Sequence, residues 1–152
     1  MCRNEWKFVA DVVTEFDPHL PPVRCLPGAC NQVFLNLIIN AAHAIADKQG
    51  GGSAAKGTIT VSTRAAGDWV EVRVADTGTG IAAEHRTRVF DPFFTTKEVG
   101  RGTGQGLAIA RYLLVDKHGG SLSFDTEVGR GTTFIVRLPR RGGGIPCERP
   151  AR

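Results

Sequence analysis

The sequence predicts an α+β fold, a two-layer sandwich in which a mixed, mostly antiparallel sheet carries three helices on one face. Three observations predict it. Runs of alternating apolar and polar residues come in pairs around glycine turns, the pattern of hairpins. The helical stretches lie between those hairpins and do not alternate with single strands. The chain has 152 residues, 41% hydrophobic and 22% charged, which suffices for one domain with a substantial core.

Taken in order, "KFVADVVTEFDPHLPPVRCLPGA" reads as two short extended runs around a turn, since Pro18, Pro21, Pro22 and Pro27 forbid a long helix. "NQVFLNLIINAAHAIAD", from Asn31 to Asp47, contains neither proline nor glycine and predicts the first helix, with Phe34, Leu37, Ile38, Ala41 and Ile45 on its core face. "KQGGGSAAKG" ends it as a loop. "TITVSTRAAGDWVEVRVAD" alternates on both sides of Gly67 and Asp68 and predicts an antiparallel hairpin. A short helix is expected from Ala82 to Val89. "DPFFTTKEVGRGTGQG" is too rich in turn formers for regular structure, and "LAIARYLLVDKHGG" predicts a helix closed by glycine. "SLSFDTEVGRGTTFIVRLP" predicts a second hairpin, turning at Gly129 to Gly131. Residues 140–152 have little to bury and are expected to be a disordered tail.

The formal charge is +4, and Arg140, Arg141, Arg149 and Arg152 against Glu148 place +3 of it in that tail. The folded part is nearly neutral, which argues against a nucleic-acid partner. No apolar run is read as approaching the roughly 18 residues that cross a bilayer, and no signal sequence follows Met1, so a cytoplasmic location is expected. The four cysteines, Cys2, Cys25, Cys30 and Cys147, form no CxxC pair and are expected to be free thiols in a reducing compartment.

The stretches "VADTGTGI" (74–81) and "GRGTGQGL" (100–107) keep the backbone bare at alternate positions, as a site of close approach requires. A P-loop would need GxxxxGK followed by Ser or Thr, and a dinucleotide fingerprint would need GxGxxG; neither is present. What remains is a strand delivering Asp76 into a glycine turn, and a glycine-rich loop running into a helix near Gly106. A carboxylate accepts hydrogen bonds, and amides at a helix N-terminus attract phosphate. Together they suggest an amino-bearing base at one end and phosphates at the other. The rival role for Asp76 is a turn cap.

Asn36, Asn40 and His43 fall on one narrow face of the first helix, opposite its core residues. A solvated outer face is the alternative, although asparagine is a poor helix former. An amide oxygen is a neutral hard ligand suited to a Mg²⁺ otherwise held by phosphates.

"NLIINAAHAI", "VADTGTGI", "VFDPFFTTK" and "GRGTGQGLAIARYLL", in that order, resemble the N, G1, F and G2 boxes of the catalytic ATP-binding domain of sensor histidine kinases. These belong to the wider GHKL ATPase superfamily that includes gyrase and MutL. The resemblance runs from about Val9 to Pro139, with residues 1–8 as a linker remnant, and implies the Bergerat ATP-binding fold. It implies ATP and Mg²⁺ as ligands, with Asn40 on the metal and Asn36 beside it, and His43 near the phosphates. It implies that Asp76 accepts the adenine amino group, with Gly78, Gly80 and Ile81 around the base and Thr132 close by. It further implies that Phe90, Phe93 and Phe94 anchor a lid from about Thr95 to Gln105. In that lid Lys97 and Arg101 would reach the γ-phosphate, while Gly102, Thr103, Gly104, Gly106 and Leu107 would let it close and present helix amides. Core aromatics and solvated loop charges are the alternatives for the phenylalanines and for Lys97 and Arg101.

Two departures from the family pattern bear on the reaction. ATP-hydrolysing relatives place a glutamate four residues before the metal-binding asparagine; here that position is Asn36, so transfer to a protein is expected over hydrolysis. None of His19, His43, His85 and His118 opens an H-E/D-x-x-x-P string like the family's phosphoacceptor site. The expected partner is therefore a histidine-bearing dimerisation domain of a larger parent, with a response regulator receiver domain downstream and the isolated domain monomeric. The alternatives are a slow ATPase of the gyrase type and a degenerate module that binds nucleotide without transferring phosphate.

Overall fold

The alternation of "WVEVRVAD" decides which side of the sheet turns inward, because successive side chains of a strand point to opposite faces. In the computed structural model, which describes residues 10–20, 23, 25–49, 57–91 and 106–140, Val70, Val72, Val74 and Asp76 are buried. They lie on strand β3 (Trp69–Asp76), the middle strand of a five-stranded sheet. The others are β1 (Ala10–Glu15), β2 (Gly57–Ala66), β4 (Ser121–Glu127) and β5 (Gly131–Pro139). Their order across the sheet is β1-β2-β3-β5-β4, with β1 parallel to β2 and every other pairing antiparallel. Both predicted hairpins form, β2–β3 turning at Gly67 (φ 66°) and β4–β5 at Gly129 and Gly131.

Two helices cover the inner face. Helix α1 (Pro27–Gln49) buries Val33, Leu37, Ala41, Ala42 and Ile45. Their partners include Ile59, Phe134, Val136 and Leu138 of the sheet, and Ala110 and Leu114 beyond β3. Each fully buried side chain of the size of Leu37 or Phe134 contributes about 1.5–3 kcal/mol. Phe34 and Ile38, expected at the core, are only partly buried, because the helix is rotated to present Val33 and Ala42. Helix α2 (Gly106–Arg111) widens into a π-helical turn over Tyr112–Asp116. It ends in an αL cap: Gly119 sits at φ 67° and its N–H donates to Val115 O (3.1 Å), while Gly120 N–H reaches back to Leu114 O (2.8 Å) in the π-helical turn.

Several expectations need correction. Helix α1 begins at Pro27, not Asn31: Cys30 N–H donates to Leu26 O (3.0 Å), so Leu26 is the N-cap and the proline occupies the first helical position, where its missing N–H costs nothing. The described residues of the run after the first proline turn form no strand. The segment 82–89 supplies only a single 3₁₀ turn, Ala83–His85, since Ala82 has no side-chain oxygen to cap a helix and the turn buries no residue. The described residues thus contain two helices and this turn in place of three helices. By length and composition, 20 residues of α1, Pro27–Ala46, could cross a membrane, contrary to the expectation that no run approaches that size; here they carry the core face of the domain. The lid, residues 95–105, and the tail beyond residue 140 lie outside the described residues.

On the outer face, Glu71 is 5% exposed beneath three guanidinium groups, with Nε of Arg73 at 2.6 Å, Arg64 at 3.2 Å and Arg137 at 4.0 Å. The hydrogen bond from Arg73 is the main reason its carboxyl is held below the ordinary range.

Candidate functional site

Asp76 ends β3 on the inward side, paired with Thr132 of β5 and Ile59 of β2. Its Oδ1 accepts the N–H of Gly78 (2.8 Å) and the N–H of Thr132 (3.3 Å). Its Oδ2 is buried and has no hydrogen-bond partner. Burial pushes the carboxyl up to about 6, with the two N–H donors opposing the shift. A buried carboxylate oxygen without a donor is expensive and uncommon, and it marks a place where a donor from outside the chain fits.

The turn after Asp76 is held by close backbone approach. A Cβ on Gly78 would lie 2.6 Å from the backbone of Ala44 in α1, so this glycine lets the turn rest directly on the helix. Gly80 (φ 79°) lies against the Glu127 carbonyl, where a Cβ would come within 2.5 Å. What approaches these two glycines is therefore the chain's own backbone.

Thr126 ties the pieces together: its hydroxyl accepts from Ile81 N–H (2.8 Å), donates to Gly131 O (3.1 Å) and meets the Thr132 hydroxyl at 2.9 Å. With Gly131 taking the Thr126 proton, the Thr132 hydroxyl is the donor in the last contact. Gly131 itself (φ 136°) lies so close to Asp76 that a Cβ would be 1.9 Å from the Asp76 carbonyl oxygen. Of this cluster the sequence singles out Asp76, Gly80, Ile81 and Thr132 as candidates, and does not single out Thr126 or Gly131 for the site. The signal for both is "TEVGRGT", whose pattern by itself indicates only a hairpin turn.

Along α1, Ala44 touches Gly78 at one end, and Asn36 reaches α2 at the other. Asn36 Nδ2 donates to Gly106 O (3.1 Å) while its Oδ1 accepts from Gln32 Nε2 (2.7 Å). Asn40 stands between, half-buried, with His43 half-buried one turn on. At about 1.5 Å per residue, Asn36 and Ala44 are separated by roughly 12 Å along the helix. The polar face of α1 thus runs from the Asp76 turn to the first residue of α2.

Leu107 packs against the core, and Phe90 meets Phe124 edge-on (5.9 Å between centroids) beneath the Arg111 guanidinium. Phe90 is thereby held against β4 and α2 near the end of the described segment 57–91. Phe93, Phe94, Lys97, Arg101, Gly102, Thr103 and Gly104 lie outside the described residues.

Known proteins resemble this chain in sequence and share this fold. The family described as "Histidine kinase-, DNA gyrase B-, and HSP90-like ATPase" matches residues 26–142. Sensor kinase CckA of Brucella abortus is 41% identical, over 78% of this chain and 13% of that protein. Among solved structures, the nucleotide-free catalytic domain of histidine kinase ThkA superposes with a TM-score of 0.74 at 31% identity, covering 91% of this chain and 84% of that one. Full-length ShkA in complex with AMPPNP superposes with a TM-score of 0.71 at 28% identity, covering 92% of this chain and 27% of that one. The chain spans only 13% to 25% of the length of the first curated relatives it matches.

Proposed function

The chain belongs to the histidine kinase-, DNA gyrase B- and HSP90-like ATPase family, and on that premise we propose that it binds Mg·ATP and presents the γ-phosphate to a histidine on a separate domain. The observation that carries the reading is the partnerless Oδ2 of Asp76. An adenine amino group supplies the donor this oxygen lacks, and Thr132, joined to the same carboxylate, closes the base end of the site.

The described residues also fit a magnesium ion. The amide oxygen of Asn40 is a neutral hard donor, on the helix face between the base end and Gly106, and would hold the ion. When bound, Mg²⁺ neutralises charge on the phosphate oxygens and aligns them for in-line attack. Asn36 does not act as a base: its amide oxygen accepts from Gln32 and its nitrogen is committed to Gly106 O. Without a carboxylate there to activate water, the site favours transfer to a histidine over hydrolysis. Its remaining contribution is orientation, worth several powers of ten in phosphoryl transfer. Lys97, Arg101 and the lid glycines, outside the described residues, complete the phosphate end in this reading, with His43 nearby.

The acceptor is a histidine-bearing dimerisation domain of the same parent, and a response regulator receiver domain takes the phosphate next, in the cytoplasm. The isolated chain is monomeric.

The test is stabilisation by nucleotide. Mg²⁺ with ADP or a non-hydrolysable ATP analogue, at about a hundred times its Kd, is expected to add roughly 2.7 kcal/mol and raise Tm on the order of 5 to 10 °C. Asn40→Ala is expected to remove most of the magnesium-dependent part while leaving the ligand-free Tm nearly unchanged. A Tm that millimolar nucleotide leaves unmoved would overturn the reading.

A further inference from the structure

The N-terminus of α1 is built unusually. With Leu26 as N-cap and Pro27 first in the helix, Cys25 occupies the position before the cap and Cys30 the fourth helical position. Those two positions meet in the hydrophobic staple, where a residue preceding the cap packs on one in the first turn. Here both members are thiols, Cys25 half-buried and Cys30 buried, and the Cys25 sulfur is near enough to perturb the Cys30 thiol.

His118, buried beneath them, completes the arrangement from the far end of α2. Its Nδ1 donates to Leu113 O (2.8 Å), which leaves the lone pair on Nε2. Nε2 accepts the N–H of Leu26 (3.0 Å) and lies 3.7 Å from Cys30 Sγ. It thus does for the cap N–H what a glutamate three residues into the helix does in a capping box, a position held here by Ala29. None of these three side chains is among those proposed above to bind nucleotide.

We propose that Cys25 and Cys30 form a peroxide-responsive dithiol that closes to a disulfide across the first turn of α1. The half-buried Cys25 is the sulfur that hydrogen peroxide reaches: its thiol loses its proton to solvent, the thiolate attacks one peroxide oxygen, the O–O bond breaks, and the departing hydroxide takes a proton back from solvent, giving the sulfenic acid and one water. Cys30 Sγ then attacks Cys25 Sγ, the S–OH bond breaks, and the departing hydroxide takes the Cys30 proton as a second water. Two thiols are oxidised and one peroxide is reduced to two waters. Burial, with Cys25 adding to it, holds Cys30 well above the usual thiol range, so the second step is the slow one.

The site is testable in the full chain carrying Cys2→Ser and Cys147→Ser, treated with hydrogen peroxide and analysed by intact and tryptic mass spectrometry. No lysine or arginine falls between Cys25 and Lys48, so one tryptic peptide carries both cysteines. The expected result is the loss of two hydrogens from that peptide, loss of both alkylatable thiols, and full reversal by dithiothreitol. Adding Cys30→Ser should leave a Cys25 sulfenic acid that dimedone traps, and adding Cys25→Ser should abolish oxidation at Cys30. The chain that keeps both cysteines decides the question even if either serine variant folds poorly. Thiols that stay alkylatable under peroxide, oxidation of Cys25 to sulfinic acid without linkage, or linkage only between chains would each overturn the proposal.

Discussion

Replacing Asp76 by asparagine is expected to weaken ATP binding by about 10- to 100-fold while making the ligand-free domain more stable near neutral pH. The affinity loss follows from the missing charge-assisted hydrogen bond, worth roughly 1.5–3 kcal/mol, and from an amide nitrogen able to donate where the adenine amino group also donates. The stability gain follows from burial. The carboxyl titrates at about 6 in the folded chain against roughly 4 in an unfolded one, so the folded state binds the extra proton between those values. Stability therefore falls as pH rises from about 4 through 6, and above that ionisation costs about 3 kcal/mol. Asparagine removes this slope but buries a donor in its place, leaving a net gain of about 1–2 kcal/mol. Thermal unfolding of both proteins from pH 4 to 8 should show Tm curves that diverge as pH rises. Parallel curves would mean that Asp76 carries no buried charge, and unchanged ATP affinity would reduce it to a turn cap.

The second large effect is expected at Gly131. Gly131→Ala forces a Cβ to within 1.9 Å of the Asp76 carbonyl at a φ of 136°, so β5 must shift away from β3 where Thr132 N–H meets Asp76 Oδ1. Strain of this kind costs about 1–3 kcal/mol before the clash is counted. We expect at least about 3 kcal/mol in total, a Tm drop on the order of 10 °C, and loss of nucleotide binding. Gly129→Ala is the control. That residue also has positive φ (87°), but a Cβ there would meet nothing within 4 Å, so it should cost only about 1 kcal/mol and leave binding intact. Equal effects at the two glycines would refute the close-approach argument.

The parts of this molecule that are legible in the sequence are those set by local pattern. Alternation in "WVEVRVAD" and "TTFIVRLP" locates β3 and β5, and the strand end followed by glycine locates Asp76. What escapes is set by contacts between distant residues. Pro27 reads as a helix breaker until Leu26 is seen to cap it, and the histidine that accepts the cap N–H is 92 residues away. Gly78 reads as room for a ligand until Ala44 is found against it. Glu71 alternates as a solvated residue, yet three arginines from its own and neighbouring strands cover it. The roles proposed for Asn40 and His43 rest on their helix face and the family resemblance, and the Asn40→Ala variant probes the first of them directly.

Asp76 is proposed to read an amino group on the base through its free oxygen. Adenine offers that amino group where guanine offers a carbonyl oxygen, which the carboxylate repels. Calorimetric titration of the unsubstituted chain with ATP and with GTP at fixed Mg²⁺ tests this most directly. ATP is expected to bind about 10- to 100-fold more tightly. Equal affinity for the two nucleotides would contradict it.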